Sequence, residues 1–436
     1  MTGYSDTIFA VASGAGRAAI AVLRISGPDS GTVLDRICRR RPAPRQAVLR
    51  RIHDCSGNVM DNALVLWLPG PRSFTGEDSA ELHLHGGRAV LRDVAAGLVE
   101  LGLRPAEPGE FARRAFLNGR LDLVQAEAIA DLVDAETTAQ RHQALRQMEG
   151  GLGALLGGWA ASLTHILAQQ EALIDFPDED LPPEVEAVLE QAMQLLLDEL
   201  RTHLADGRRG ERLRDGLVFA IIGAPNAGKS TLVNALAQRD VAIVSPKPGT
   251  TRDVLETRIE LGGVPVTLLD TAGLRESVDS IEAEGVRRAR ARAEAADAVI
   301  VLETATEPAP ADLAPHPLTI RVTAKADLLS PDAPAAPGGP RISARTGEGM
   351  QDFLDQLATH AMALTHAAGP PPLTRARHRA ALQEAADRLT AARAAGYPEL
   401  RAEDLRLALR ALGRITGRVG VEDILDSVFR QFCIGK

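Results

Sequence analysis

Short apolar runs and one alternating segment mark the first part of the chain as a mixed α/β region. Residues 18–25 and 63–68 are apolar runs of strand length, and residues 81–85 alternate polar and apolar side chains. This alternation directs a glutamate and two histidines to one face of a strand and two leucines to the other. The pattern predicts an N-terminal α/β domain over residues 1–118.

Helical periodicity follows from residue 119 onward, where Leu121, Val124, Ala128 and Leu132 are spaced as on one face of a helix. It stops at a charged linker, residues 207–216, and resumes after a second, proline-rich linker near residue 370. A helical region on both sides of a compact segment indicates one bundle with that segment inserted, so that the two linkers lie close in space. The predicted parts are a helical domain over 119–213, an inserted domain over 214–365 and the second part of the helical domain over 371–436.

The inserted domain opens with the pattern of a phosphate-binding loop. The apolar run 218–222 is typical of a buried parallel strand, and residues 223–230 match G-x-x-x-x-G-K-S before a helical segment. Backbone N–H groups of such a loop face the phosphates, Lys229 reaches the outer phosphates, and the Ser230 hydroxyl ligates Mg²⁺. The predicted loop contacts are Asn226, Ala227, Gly228, Lys229, Ser230 and Thr231.

Three further motifs at successive strand ends identify the nucleotide as GTP. Thr251 can bind Mg²⁺ and sense the γ-phosphate, Asp270 is placed to hold Mg²⁺ through water, and Gly273 offers a backbone N–H to the γ-phosphate. Asp327 can accept from the ring N–H and the 2-amino group of guanine, a pair of donors that adenine lacks. Lys325 and the loop of Ser343, Ala344 and Arg345 complete the predicted base-side loops. The order and spacing predict a GTPase domain with a doubly wound sheet.

Two positions in this domain depart from the usual GTPase pattern. Ala324 stands where an asparagine usually ties the base loop to the phosphate loop, so we expect weaker nucleotide binding with guanine selectivity retained through Asp327. Leu274, after the Asp-Thr-Ala-Gly motif, cannot orient an attacking water. The acidic residues that follow leave the water-positioning group open among Glu276, Asp279, Glu282 and Glu284.

Composition limits the remaining function classes. The net charge of −9 excludes bulk binding of polyanions, so any nucleic-acid contact must come from local basic patches. The chain has 3 cysteines and no C-x-x-C pair, which argues against a disulfide framework or a structural zinc site. With no segment that resembles a signal peptide, we expect a cytoplasmic protein. Residues 150–170 lack charged side chains but are rich in glycine and polar residues, so we interpret them as a buried bundle helix, with no membrane contact.

Signatures along the whole length make the chain similar to the MnmE (TrmE) family of tRNA modification GTPases. Besides the GTPase motifs, the similarity rests on LRISG at 23–27, SFTGED at 73–78, HGG at 85–87, PGEF at 108–111, FLNGRLDL at 116–123, GVEDILD at 420–426 and FCIGK at 432–436. The resemblance implies an N-terminal domain that forms a homodimer and binds 5-formyl- or 5,10-methylene-tetrahydrofolate as one-carbon donor. By motif position, Arg24, Glu81, Arg120 and Lys436 fall on that site. The family usually has lysine where Arg120 stands, and arginine is a wider donor.

The resemblance also implies a partner and a reaction. Members work with an FAD protein of the MnmG type, as a heterotetramer, and install an aminomethyl-type group (carboxymethylaminomethyl) on the 5-carbon of the wobble uridine (U34) of certain tRNAs. Cys433 in the closing motif is a candidate nucleophile for that step, although a structural thiol explains it equally well.

Potassium activation is the third implication of the resemblance. K⁺ is held by Asn226 and by the loop that contains Ser245 and Thr250, and it activates GTP hydrolysis when two GTPase domains pair. Glu282 matches the family's water-positioning glutamate and is, with Asp270 and Cys433, a candidate catalytic residue. Lys247 lies inside the potassium loop; it is either a solvated lysine or a cation that partly replaces K⁺.

Two alternatives stay open beside this function. The protein could be a GTP-driven conformational scaffold whose partner carries out all of the uridine chemistry. It could also be a ribosome-assembly GTPase of the Era/Der type, which would bind RNA.

Overall fold

The computed structural model describes most of the chain, and it divides the chain into two compact units. The described residues are 5–14, 16–175, 184–224, 226–239, 241, 243, 256–270, 294–304, 316–329, 339–366, 369–419, 425, 428–430, 432 and 434–435. One unit contains residues 1–130, 147–190 and 387–436, and the other contains residues 131–146 and 191–386. The domain boundaries given above stay predictions.

The first unit is built on a six-stranded, mainly antiparallel sheet. Its strands, in the spatial order β3-β4-β5-β2-β1-β6, are β1 Ile8–Val11, β2 Ile20–Ser26, β3 Val48–His53, β4 Val59–Leu68, β5 Ser79–His85 and β6 Arg104–Pro105. The alternation predicted for β5 is confirmed, because Leu82 and Leu84 are buried while Glu81 and His83 lie on the other, partly exposed face. One face of the sheet packs on helices α1 Ser30–Cys38 and α2 Arg88–Glu100. The helices α3 Glu110–Leu117 and α4 Leu123–Asp134 follow.

Helical segments from both sides of the inserted domain pack together in this unit. The remaining helices of the chain's first half are α5 Thr138–Met148, α6 Gly151–Asp175, α7 Glu184–Leu204 and α8 Arg209–Asp215. Of these, α6 lies wholly in this unit, whereas α8 and most of α5 belong to the second unit. In the last part of the chain, α12 Pro398–Thr416 lies against α6, where Gln170 donates to the Pro398 carbonyl and Arg406 pairs with Glu171. Helices from the two sides of the predicted insertion are therefore in contact, and the bundle as a whole stays a prediction.

Among the described residues, α6 is the one helix that is both long enough and apolar enough to cross a membrane, judged by length and composition. Only 28% of its most apolar window is buried. The buried positions form a single stripe with Leu156, Trp159 and Leu163, while Ser162 and His165 face outward. The segment is helical as predicted, but it is buried along one face only.

The second unit contains a five-stranded sheet with the order β11-β10-β7-β9-β8. Its elements are β7 Leu217–Gly223, α9 Lys229–Ala237, β8 Glu256–Leu261, β9 Val264–Asp270, β10 Ala298–Glu303, β11 Thr319–Thr323, α10 Met350–Thr365 and α11 Ala376–Ala394. The four strands β11, β10, β7 and β9 run parallel, and β8 is antiparallel to β9. Strands buried on both faces read as continuous apolar runs, which is why β7, β9 and β10 were predictable from sequence. The predicted fold class, α/β domains with a helical region, is confirmed.

One predicted linker is a helix. The charged segment 207–216 contains α8, which begins after Arg208 and ends at Gly216 in a positive-φ conformation. Arginine–carboxylate pairs, including Arg208 with Glu211, compensate the charges that suggested a solvated linker. The two linkers do lie close together, as predicted, because Arg209 donates to the carbonyl of His366 at 3.1 Å.

Candidate functional site

The phosphate loop joins the central strand β7 to helix α9. Asn226 and Gly228 have φ values of +66° and +99°, so the chain turns tightly before α9 begins at Lys229. Gly223 must lack a side chain, because a Cβ there would lie 2.6 Å from the Leu302 carbonyl oxygen. The buried Lys229 side chain donates from Nζ to the carbonyls of Gly223 at 2.8 Å and Ala224 at 2.9 Å. A lysine, a helix N-terminus and close backbone approach together form an anion-binding loop.

Two oxygen groups meet beside this loop. Asp270 ends β9 and is aligned with Ile221 of β7, which brings it beside the start of α9. Ser230 donates from Oγ to Oδ2 of the buried Asp270 at 2.6 Å. A hydroxyl and a carboxylate are the kind of oxygen ligands that Mg²⁺ prefers, so the donor set fits that ion.

A cavity of about 330 Å³ lies on the other side of the loop. Asp327, in the short helical turn after β11, provides its carboxylate, and Ser343 donates from Oγ to Asp327 Oδ1 at 2.6 Å. This hydrogen bond, with those from Arg345, holds the pKa of Asp327 below its ordinary value. The cavity brings together the predicted residues Ala227, Gly228, Thr231, Lys325, Asp327, Ser343 and Ala344.

Two features of this cavity were predicted only in part from the sequence. Arg345 was predicted only as part of the second base-side loop, and it donates to Asp327 from Nε and Nη2. Its position two residues after Ser343 was the only signal. Ala324 is buried and lines the cavity, so the departure from the usual asparagine lies directly at the candidate base site.

A second cluster lies on the partly exposed face of the six-stranded sheet in the first unit. Arg24 on β2 donates from Nε and Nη2 to Glu81 Oε1 at 3.1 and 3.0 Å. The Arg24 guanidinium also lies 5.3 Å from the ring centre of Phe74 and 5.8 Å from that of Phe111. The structure therefore brings Arg24 and Glu81 together, as their predicted common site requires.

The loop at residues 73–78 supports this cluster. Its Glu77 accepts from Ser26 at 2.8 Å and from the fully buried Arg114 at 3.3 Å. Gly76 lies against Arg120, whose Cγ would be 3.1 Å from a Cβ added at Gly76. Arg120 itself is exposed, and Phe74 of the same loop reaches Arg24.

Several predicted site residues lie outside the described part of the chain. They are Ser245, Lys247, Thr250, Thr251, Gly273, Glu282, Cys433 and Lys436. The roles given to them above stay predictions.

The four parallel strands, the phosphate loop and the carboxylate at the base cavity define the class as a phosphate-loop protein with a site that suits a guanine nucleotide. Comparison with known proteins gives the family. The description "GTP-binding protein TrmE N-terminus" matches residues 7–120, and "MnmE helical domain" matches residues 123–433. The chain belongs to the MnmE (TrmE) family, and the resemblance noted from sequence is confirmed.

Curated relatives extend over the whole chain. Proteins named tRNA modification GTPase MnmE are 59% identical in Gluconacetobacter diazotrophicus, over 98% of this chain and 98% of that protein, and 56% identical in Granulibacter bethesdensis, over 99% of each. The protein of that name in Rhodospirillum rubrum is 54% identical over 99% of each chain. Among solved structures, Era from Aquifex aeolicus is 23% identical over 39% of this chain and 66% of that one, with a TM-score of 0.25.

Proposed function

We propose that this GTPase acts in tRNA modification. With an FAD protein of the MnmG type, it adds an aminomethyl-type group (carboxymethylaminomethyl) to the 5-carbon of the wobble uridine of certain tRNAs, using a tetrahydrofolate one-carbon donor. The observation that carries this proposal is the similarity to proteins named tRNA modification GTPase MnmE over 98% of the chain at 59% identity. An assembly GTPase of the Era/Der type is disfavoured by the same full-length similarity.

In the nucleotide site, each group has a role that its chemistry supports. Lys229 neutralises the β- and γ-phosphates, and Ser230 and Asp270 are the residues that would hold Mg²⁺. Asp327 accepts from the two donors on the guanine edge, and Ser343 fixes the orientation of that carboxylate. Thr251 and Gly273 complete the contacts to Mg²⁺ and the γ-phosphate.

The hydrolysis step uses groups that sequence similarity alone supports. Asn226, Ser245 and Thr250 would hold K⁺, which would supply positive charge at the transferred phosphate when the GTPase domains of a homodimer pair. Glu282 orients the attacking water. Lys247 in the same loop lowers the requirement for K⁺.

The cluster on the six-stranded sheet fits a folate. A pterin presents an amino group and a ring N–H side by side, and the partly buried carboxylate of Glu81 can accept from both. The Phe74 ring beside Arg24 offers an apolar face for the flat ring system. Arg24 holds the Glu81 carboxylate in place, Arg120 and Lys436 supply cations for the folate's carboxylates, and Cys433 is a candidate nucleophile in the modification step. The folate supplies a one-carbon unit when it is bound.

The protein acts in the cytoplasm as a homodimer, forms a heterotetramer with the flavoprotein and binds tRNA, without membrane contact. These statements extend the family membership and the GTPase fold to assembly and location.

The first test is steady-state GTP hydrolysis in KCl and in NaCl at matched ionic strength. We expect much faster turnover in K⁺, increasing with protein concentration, because K⁺ and domain pairing complete the catalytic site together. Equal, slow rates in the two salts would contradict the potassium mechanism.

In a reconstituted reaction with flavoprotein, folate and tRNA, Glu81→Gln should abolish the modified uridine and leave GTP hydrolysis unchanged. Unchanged modification by this variant would contradict the role of Glu81 in folate binding. Unchanged modification by Cys433→Ala would favour the scaffold alternative, with the chemistry in the partner.

A further inference from the structure

The carboxylate of Asp327 is engaged on both oxygens by side chains of the 343–345 loop. Ser343 Oγ donates to Oδ1 at 2.6 Å, and Arg345 donates to Oδ2 from Nε at 3.1 Å and from Nη2 at 2.5 Å. The Asp327 side chain is 11% exposed, whereas that of Arg345 is 74% exposed. The arginine therefore covers the carboxylate from the solvent side and can rotate away without disturbing the core.

Counting acceptor positions shows a conflict with the base. Each carboxylate oxygen has two lone pairs, so the two donors of Arg345 saturate Oδ2, while Oδ1 keeps one position beside Ser343. Guanine presents two donors on the edge that Asp327 faces, the ring N–H and the 2-amino group. The remaining position satisfies one of them. A second position becomes available only when Arg345 releases Oδ2.

We propose that Arg345 competes with guanine for Asp327 and thereby sets both the nucleotide affinity and the preference for guanine over hypoxanthine. This inference rests on the guanine site proposed above. The ion pair between the exposed Arg345 and Asp327 is weak, so little free energy is needed to break it. The competition therefore weakens guanine binding by roughly two- to fivefold. Hypoxanthine lacks the 2-amino group and needs only the free position on Oδ1, so its binding is not subject to the competition.

The test compares four proteins: wild type, Arg345→Ala, Arg345→Lys and Arg321→Ala. Arg321 is the control, because it is a half-exposed arginine of the same unit that pairs with Glu303 instead of Asp327. Dissociation constants for GDP and for inosine diphosphate are measured by calorimetry at low and high salt. Thermal melting shows whether each variant is folded.

We expect Arg345→Ala to bind GDP about two- to fivefold more tightly and inosine diphosphate as the wild type does. Lysine keeps the positive charge but lacks the planar guanidinium fork, so Arg345→Lys should lie between wild type and Arg345→Ala. The gain should shrink at high salt, because exposed ion pairs are screened. Arg321→Ala should leave both constants unchanged.

Equal or weaker GDP binding by folded Arg345→Ala would overturn the proposal. An equal increase in affinity for GDP and for inosine diphosphate would also overturn the proposal, because it would indicate a general effect of removing the charge. A wild-type protein that binds neither nucleotide would instead contradict the guanine site itself, and the two failures are therefore distinguishable.

Discussion

At the scale of single residues, the candidate nucleotide site separates what spacing can predict from what it cannot. Lys229 and Ser230, which open α9, and Asp270, which ends β9, were predictable because they belong to motifs of fixed order and spacing, and Ser230 Oγ lies 2.6 Å from Asp270 Oδ2. The contact of Arg345 with Asp327 was not predictable, because it depends on the path of two loops rather than on spacing. The residues of the potassium loop and Glu282 stay predictions.

Ala324 provides a residue-scale prediction. Ala324→Asn should lower the dissociation constant for GDP several-fold, because the amide can bond to the phosphate loop whose Ala227 and Gly228 line the same cavity. Calorimetry with GDP measures the effect. Ala324→Leu is the control, since it adds similar volume without an amide and should not tighten binding. An unchanged GDP constant in Ala324→Asn would show that this position does not limit affinity.

At the scale of elements, apolar runs predicted strands of the five-stranded sheet correctly, whereas the charged helix α8 was predicted as a linker. Periodicity reports burial of apolar faces, whereas α8 is held by ion pairs whose partners are distant in sequence. Arg214 of α8 pairs with Asp131 at 2.9 Å, and Glu211 pairs with Arg379 of α11 at 2.7 Å. No local pattern contains those partners.

The joint around Arg379 gives a prediction at this scale. Its guanidinium donates at 2.7 Å to Glu211, to Asp206 and to the carbonyl of Leu204. Arg379→Ala should reduce the free energy of unfolding by about 1–3 kcal/mol, because it leaves a buried carboxylate without this partner.

Urea denaturation measures this effect against Arg388→Ala. Arg388 pairs with Asp404 at a more exposed position, so its loss should cost less than about 1 kcal/mol. Equal effects of the two substitutions would mean that the Arg379 joint is no stronger than an ordinary surface pair.

At the scale of the whole chain, the sequence predicted that distant segments fold together around an insertion. Segments 147–190 and 387–436 do share a unit with the N-terminal sheet. In that unit Phe429 and Phe432 pack with Ala112 and Leu123, so part of the closing segment belongs to the N-terminal core. The closing motif revealed the family from sequence, but only the packing shows which surface the segment contacts.

Gly435 tests this long-range docking. It has φ +98°, and an added Cβ would collide with the Val11 carbonyl oxygen and lie 2.9 Å from the Ala12 Cα. Gly435→Ala should therefore lower the free energy of unfolding by about 2–4 kcal/mol, because alanine is strained at a positive φ and its Cβ would collide with the backbone. Urea denaturation of the full chain measures it.

Gly57→Ala is the matched control for this measurement. Gly57 has φ +87° with no atom within 4 Å of an added Cβ, so its substitution should cost only the conformational part, about 1–2 kcal/mol. Because Lys436 is the next residue, Gly435→Ala should also weaken binding of a tetrahydrofolate, while Gly57→Ala should not. If both variants lost equal stability and kept folate affinity, the closing segment would not need close contact with β1, and its part in the proposed folate site would have to be abandoned.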